Sequence, residues 1–169
     1  MAAQIPKRVC EDCMLCCKVM SIEELEKPAG SWCQHCNVGM GCKIYAERPT
    51  ECRTFSCLWL IDERLGPHWK PSKSKIVLTT SQDGLEIRCD PRSKGAWRKE
   101  PYLSQIYKWA EAGELSDVTV LVIAGECMTI VTRGREFDLG IVRSDERIVR
   151  ELDGARVVNV TVVKASDLQ

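Results

Sequence analysis

Nine of the eleven cysteines in this chain crowd into its first third, as Cys10, Cys13, Cys16, Cys17, Cys33, Cys36, Cys42, Cys52 and Cys57. Thiolates are soft ligands that select zinc, copper(I) or iron–sulfur clusters over magnesium or calcium. Cys10/Cys13, Cys13/Cys16 and Cys33/Cys36 are each spaced as Cys-x-x-Cys, which lets two sulfurs from one tight turn reach the same ion. A zinc site takes about four ligands, so nine thiols exceed one ion and approach two. Adjacent Cys16 and Cys17 point apart in most backbone conformations. They are expected to serve different centres, or one bridges while the other supports. Zinc in two centres is the expected cofactor, with iron or an iron–sulfur cluster as the alternative.

A disulfide framework is the competing use of so many cysteines, and it belongs to small secreted chains. The opening residues hold no apolar stretch of signal-peptide length, and no run approaches the ~20 apolar residues of a membrane span. A cytoplasmic address, where thiols stay reduced, is therefore expected. Full internal pairing is also awkward. Nine is odd, and neighbours such as Cys16 and Cys17 sit about 3.8 Å apart at Cα, short of the usual ~4.4–6.8 Å disulfide span.

Lysine plus arginine and aspartate plus glutamate number 24 each over 169 residues, and the balance holds nearly as well in each half. Neither half has the net charge of a nucleic-acid surface. Nine thiolates against two divalent ions would leave an excess of about five negative charges, so nearby cations are useful. Lys43, Arg48, Arg53 and His35 are the candidates. His35, between Cys33 and Cys36, is expected beside the ligands or in solvent, and His68 in a linker. Cys89, on an expected strand, and Cys127, at a strand start, have apolar neighbours and are expected in the core. Residues 88–109 mix cations with Trp97, Tyr102, Tyr107 and Trp109. That mixture could stack on single-stranded nucleic acid, but with no net positive charge it reads better as a loop and a core-facing helix. Nucleic acid is an unexpected partner. No phosphate-binding glycine loop, nucleophile elbow, zinc-protease helix or dinucleotide fingerprint is present. The two histidines are poorly placed to activate a cysteine nucleophile.

The elements that must position these groups fall into two stretches. Residues 1–66 read as a cysteine-cluster metal-binding module and residues 67–169 as an α+β domain, with Gly66-Pro67 and Pro71 at the junction. Ser21 and Glu24 have capping-box spacing, so a short helix is expected over residues 22–27. Residues 33–42 are glycine-spaced and loop-like. A helix starting near Thr50 would set Cys52 toward the metal and Phe55 toward the apolar Leu58, Trp59 and Leu60. Residues 75–80 and 85–89 read as a hairpin turned by Asp83-Gly84. Pro101, the spacing of Leu103, Ile106, Tyr107 and Ala110, and Gly113 mark an amphipathic helix. Strands are expected over 117–123, 127–132 and 136–142, then a helix after Ser144 ending at Gly154, then a strand over 157–163. The expected fold class is α+β: a cysteine-rich module packed on a small mixed, mainly antiparallel sheet with two or more helices.

The string Cys10-x2-Cys13-x2-Cys16-Cys17, followed by Gly41-Cys42, Ile44-Tyr45, Arg48-Pro49 and Cys52-Arg53-x-Phe55, resembles the bacterial cysteine-cluster family described as zinc- or iron-chelating proteins. The resemblance covers about the first sixty residues. It implies a metal-chelating domain in which Cys10, Cys13, Cys16, Cys17, Cys42, Cys52 and one of Cys33 or Cys36 are the ligands carried over, with Cys57 an addition. It implies no settled reaction, although some longer proteins with a similar cluster are implicated in lysine methylation of flagellar protein with an iron–sulfur centre. The function expected from the residues is a cytoplasmic metal-binding protein with a structural or regulatory output, such as presenting a surface to a protein partner. The alternative is an iron-dependent enzyme or redox protein using the same thiols.

Overall fold

The computed structural model describes residues 8–10, 12–116 and 118–168. Residues 1–7, part of the stretch that underlies the expected address, and residue 117, expected at a strand start, lie outside them. In chain order the helices are α1 (Cys16–Val19), α2 (Thr50–Thr54), α3 (Leu58–Ile61), α4 (Pro71–Ser74) and α5 (Tyr102–Glu114). The strands are β1 (Cys36–Asn37), β2 (Gly41–Cys42), β3 (Ile76–Ser81), β4 (Gly84–Cys89), β5 (Thr119–Ala124), β6 (Cys127–Thr132), β7 (Arg135–Ile141), β8 (Glu146–Asp153) and β9 (Arg156–Lys164). The fold is α+β, as expected.

The central sheet runs in the order β3-β4-β5-β6-β7. Only the β4–β5 pair is parallel, because α5 carries the chain back between those two strands. Gly84 opens β4 where a Cβ would stand 2.1 Å from the carbonyl oxygen of Thr119. The glycine therefore serves the close approach of β5; Ser81 and Gly84 pair across the turn, leaving Gln82 and Asp83 as its two residues. On one face of the sheet Ile76, Leu78, Ile87, Val120, Val122 and Val131 pack beneath Ile106 and Ala110 of α5, with Trp69 and Trp97. Tyr102, Tyr107 and Trp109 lie against that core, and Arg98 pairs with Glu136 at 2.7 Å. The aromatics of residues 88–109 are thus spent on packing.

Successive strand residues point to opposite faces, so β3 is buried on both sides. Its Val77 meets Leu15 and Val19 of the cysteine-rich segment, with Phe55 packed alongside. At the other end of the sheet, Ile130 packs with Val157 and Val160, and with Leu121, Phe137 and Ile148. Across the boundary expected at residue 66, Leu65 and Trp69 share the main core with Ile76 and Leu78.

Three local expectations change. Residues 22–27 form a single 3-10 turn, Glu23–Leu25, without a side-chain cap; Ile22 and Lys27 pair as an antiparallel bridge. The glutamates instead tie this turn to α2, Glu24 accepting from the Thr50 amide and Glu51 from the Glu23 amide, both at 2.8 Å. The stretch after Ser144 is a strand, β8, paired with β9 in a two-stranded hairpin whose turn contains Gly154. Ile148 and Val149 are β-branched and suit a pleated surface. Gly154, read as a helix stop, is a hairpin turn residue. Cys127 is exposed at the first position of β6, beside the Gly125-Glu126 turn, where β6 has not yet passed under the core; Cys89 is 2% exposed in the core, as expected.

Candidate metal centre

Arg8 anchors the first cysteines. Its guanidinium donates to the carbonyls of Trp59, Asp62, Glu63 and Leu65 at 2.7–3.1 Å and stacks on the Trp59 ring at 5.0 Å. Carbonyls at a helix end lack intrahelical partners, and a cation there also meets the negative end of the helix. Arg8 thereby clips the chain just before Cys10 to α3, whose first residue follows Cys57. The Cys13 amide donates to the Cys10 carbonyl at 2.8 Å, closing the first Cys-x-x-Cys turn, and α1 then carries Cys16 and Cys17.

The second group of cysteines folds back on α1. The Cys33 amide donates to the Cys17 carbonyl at 3.0 Å, and the Cys36 amide to the Cys33 carbonyl at 3.0 Å. Residues 33–42 are more regular than expected, since β1 and β2 form a minimal hairpin with Cys36 opposite Cys42. Gly41, at φ +123°, supplies a backbone conformation that other residues rarely adopt. As expected, α2 begins at Thr50 and carries Cys52 on one side; Phe55 after it packs toward Leu15 and Val19 rather than toward Leu58 and Trp59, which join the main core.

Cys10, Cys13, Cys16, Cys17, Cys33, Cys36, Cys42, Cys52 and Cys57 all line one cavity of about 800 Å³. Met14, Met20 and Met40 line it too, as do His35, Tyr45 and Arg48. Cys89 and Cys127 do not. Burial pushes the Cys89 thiol up to about 12, keeping it neutral in the core.

The thiols are unequal. Contact from the Cys16 thiol, with a further one from Cys36 and the charge of Lys27, lowers Cys17 to about 6 against the opposing effect of burial. The same contact with Cys17, together with burial, pushes Cys16 far up. Burial and the Cys17 charge hold Cys36 up at about 11. Burial also raises Cys10, Cys52 and Cys57. Cys17 is thus held below the ordinary thiol range beside Cys16 and Cys36, which are held above it.

The cations differ from those expected. Arg48 stacks over Tyr45 at 3.6 Å, donates to the Tyr45 carbonyl at 2.9 Å, lines the cavity, and its charge partly offsets the burial that raises Cys10 and Cys52. Arg53 is exposed and, among the described residues, donates to the Thr50 hydroxyl at 3.2 Å; it does not line the cavity. Lys43 is also exposed, while His35 is half-buried at the cavity wall. Two lysines that the spacing did not flag take the inner positions. Lys27 is 7% exposed; its ammonium donates to the carbonyl of Lys18 at 2.9 Å and to that of Met20, with the sulfurs of Cys33, Cys17, Cys16 and Cys52 as neighbours. Lys18 is 4% exposed and pairs with Asp90 at 2.5 Å. A lysine directly after Cys16-Cys17, inside an apolar run, was the available signal.

Among the described residues, no three Cys, His, Asp or Glu side chains meet closely enough to hold one ion. The chemistry of the donor set nonetheless fits a soft metal: all nine clustered thiols line one shared cavity. Among the described residues no helix is long and apolar enough to cross a membrane. Comparison with known proteins found no matching family model, no matching curated protein and no matching solved structure.

Proposed function

We propose that this chain is a metal-binding protein that holds zinc in two centres through the nine clustered thiols, with a structural or regulatory output. One observation carries the reading: nine cysteines from separate segments line a single cavity, while the two cysteines outside the cluster do not. Thiolate ligands need reduced sulfur, so the proposed setting is the cytoplasm. When bound, zinc would neutralise thiolate charge and cross-link α1, the β1–β2 hairpin and α2, a segment with few large buried side chains of its own. The residues contribute specific parts. Arg8 and Lys27 hold the segments that bear the thiols, and Arg48 offsets their charge. Exposed Val9, Met40 and Tyr45 stand at the cavity rim, where metal loading would set the shape offered to a protein partner.

The second reading, an iron–sulfur or iron centre serving an enzyme or redox protein, draws on the same all-thiol donor set and on a cavity of about 800 Å³, roomy enough for a multi-atom cluster. Anaerobic purification followed by absorption spectroscopy and elemental analysis separates the two. Colourless protein with zinc is the expected result. Brown protein with iron and sulfide moves the assignment to the second reading, and protein that neither retains nor takes up any of these metals overturns both.

A further inference from the structure

We propose that the thiols divide into two ligand sets, Cys10, Cys13, Cys16 and Cys57 forming one and Cys17, Cys33, Cys36 and Cys42 the other, with Cys52 as a reserve thiol beside the second. This division rests on the metal-binding reading above and says which residues make each centre.

Backbone bonds, strand pairing and one arginine clip sort the segments that bear the thiols into two groups. In the first, the Cys10–Cys13 turn is closed by an amide bond of 2.8 Å, and Arg8 clips that turn to the helix that starts after Cys57. In the second, the bonds from Cys33 to Cys17 and from Cys36 to Cys33 join three of its members in series, and strand pairing sets Cys42 opposite Cys36. The electrostatic neighbours follow the same grouping except at the Cys16–Cys17 seam, where Cys17 also acts on Cys10 and Cys16. Cys10 and Cys13 act on both Cys16 and Cys57, whereas Cys33 and Cys42 act on Cys36 and on Cys52. Cys16 and Cys17 form the seam between the sets. Adjacent residues on a helix point about 100° apart, so the pair can face two centres from one turn of α1.

The two sets also differ in shelter. The first contains exposed Cys10. Each set has one buried thiol, Cys13 in the first and Cys33 in the second, but the second has no exposed member and has Lys27 behind it. The first centre should therefore yield its ion sooner.

The test loads the full chain with Zn²⁺ alone, removes metal with limiting chelator until one ion remains, and maps free thiols by alkylation and mass spectrometry. Expected is joint labelling of Cys10, Cys13, Cys16 and Cys57, with Cys17, Cys33, Cys36 and Cys42 protected. Labelling that draws equally on both sets overturns the division, while joint labelling of the second set with the first protected keeps the division and overturns the order of release. Native mass spectrometry of variants gives a second measurement. In a Cys52→Ser background, which removes the reserve thiol, Cys57→Ser and Cys42→Ser should each lose one ion, Cys13→Ser combined with Cys57→Ser should still lose only one, and Cys57→Ser combined with Cys42→Ser should lose both. If that last double variant keeps one ion, the two residues share a centre and the division is wrong. Unmodified protein that binds two ions but shows crossed protection sinks the division alone; unmodified protein that binds none sinks the metal reading itself.

Discussion

A thiol must give up its proton to bind a metal ion, and most thiols around this cavity hold theirs firmly. Cys10, Cys16, Cys36, Cys52 and Cys57 all sit above the ordinary thiol range, burial being the leading cause for most of them and the Cys17 contact for Cys16. The sign follows: at neutral pH these groups are protonated, zinc must displace the protons, and affinity rises with pH. Each proton released contributes about tenfold per pH unit. Competition with a zinc chelator at pH 6.5 and 7.5, corrected for the chelator's own protonation, should show binding at least about tenfold tighter at the higher pH. Affinity independent of pH would contradict the thiol assignments. The arginines make a second prediction at this scale. Arg48 lines the cavity and Arg53 faces solvent, so Arg48→Ala should release zinc to a chelator several-fold faster while Arg53→Ala matches the unmodified protein. Equal acceleration by both would mean that charge near α2, rather than contact with the cavity, governs retention.

Among the elements, α1 and β4 are joined by the buried pair of Lys18 and Asp90. Asp90 also caps the turn that follows β4, accepting from the Arg92 amide at 2.9 Å. Burial by itself would raise this carboxyl; the hydrogen bonds from Lys18 and Arg92 and their charges outweigh it and hold it below its usual range. A depressed carboxyl stabilises the fold above its unfolded value of about 4, and that contribution is lost as pH falls through the lower folded value. Asp90→Asn would leave Lys18 charged and buried, a change that costs about 3–5 kcal/mol. Denaturant unfolding should show that loss, and adding Lys18→Met should restore part of it. A single variant as stable as the unmodified protein would show the pair to be dispensable. Short elements were the least legible part of the chain. The turn at residues 22–27 and the strand at Glu146–Asp153 were both expected as helices, because a hydroxyl three residues before a glutamate and an apolar group before a glycine fit helix and hairpin alike. What decided between them was a partner: Lys27 for Ile22 in the first case, β9 in the second.

Over the whole molecule, packing is shared unevenly. The central sheet is covered by α5 on one face, and its other face is divided between the cysteine-rich segment at Val77 and the β8–β9 hairpin at Ile130. The sheet has a core that does not involve the cavity, whereas residues 10–57 contribute only a small cluster around Leu15 and Val19. Removing metal should therefore loosen the first segment and spare the second. Hydrogen exchange before and after chelation should show protection falling across residues 10–57 while β3 to β6 and α5 keep theirs. Unchanged protection in residues 10–57 after complete metal removal would mean that its fold does not depend on metal.

The type of chemistry was carried by local sequence: thiols, their turn-sized spacing and the glycines between them survive any placement of the chain, so the nine candidate ligands could be named before the fold was known. The long periodic elements were legible for the same reason, α5 from its apolar stripe and β3, β6 and β9 from β-branched runs. Tertiary structure alone decided which thiols are neighbours, that Lys27 and Lys18 rather than Arg53 lie inward, and that Cys127 faces solvent. Those facts depend on contacts between segments far apart in the chain, such as Arg8 with Leu65 and Lys18 with Asp90. A spacing rule confined to one turn or one strand has no access to them, since burial and electrostatic neighbourhood exist only once the segments meet.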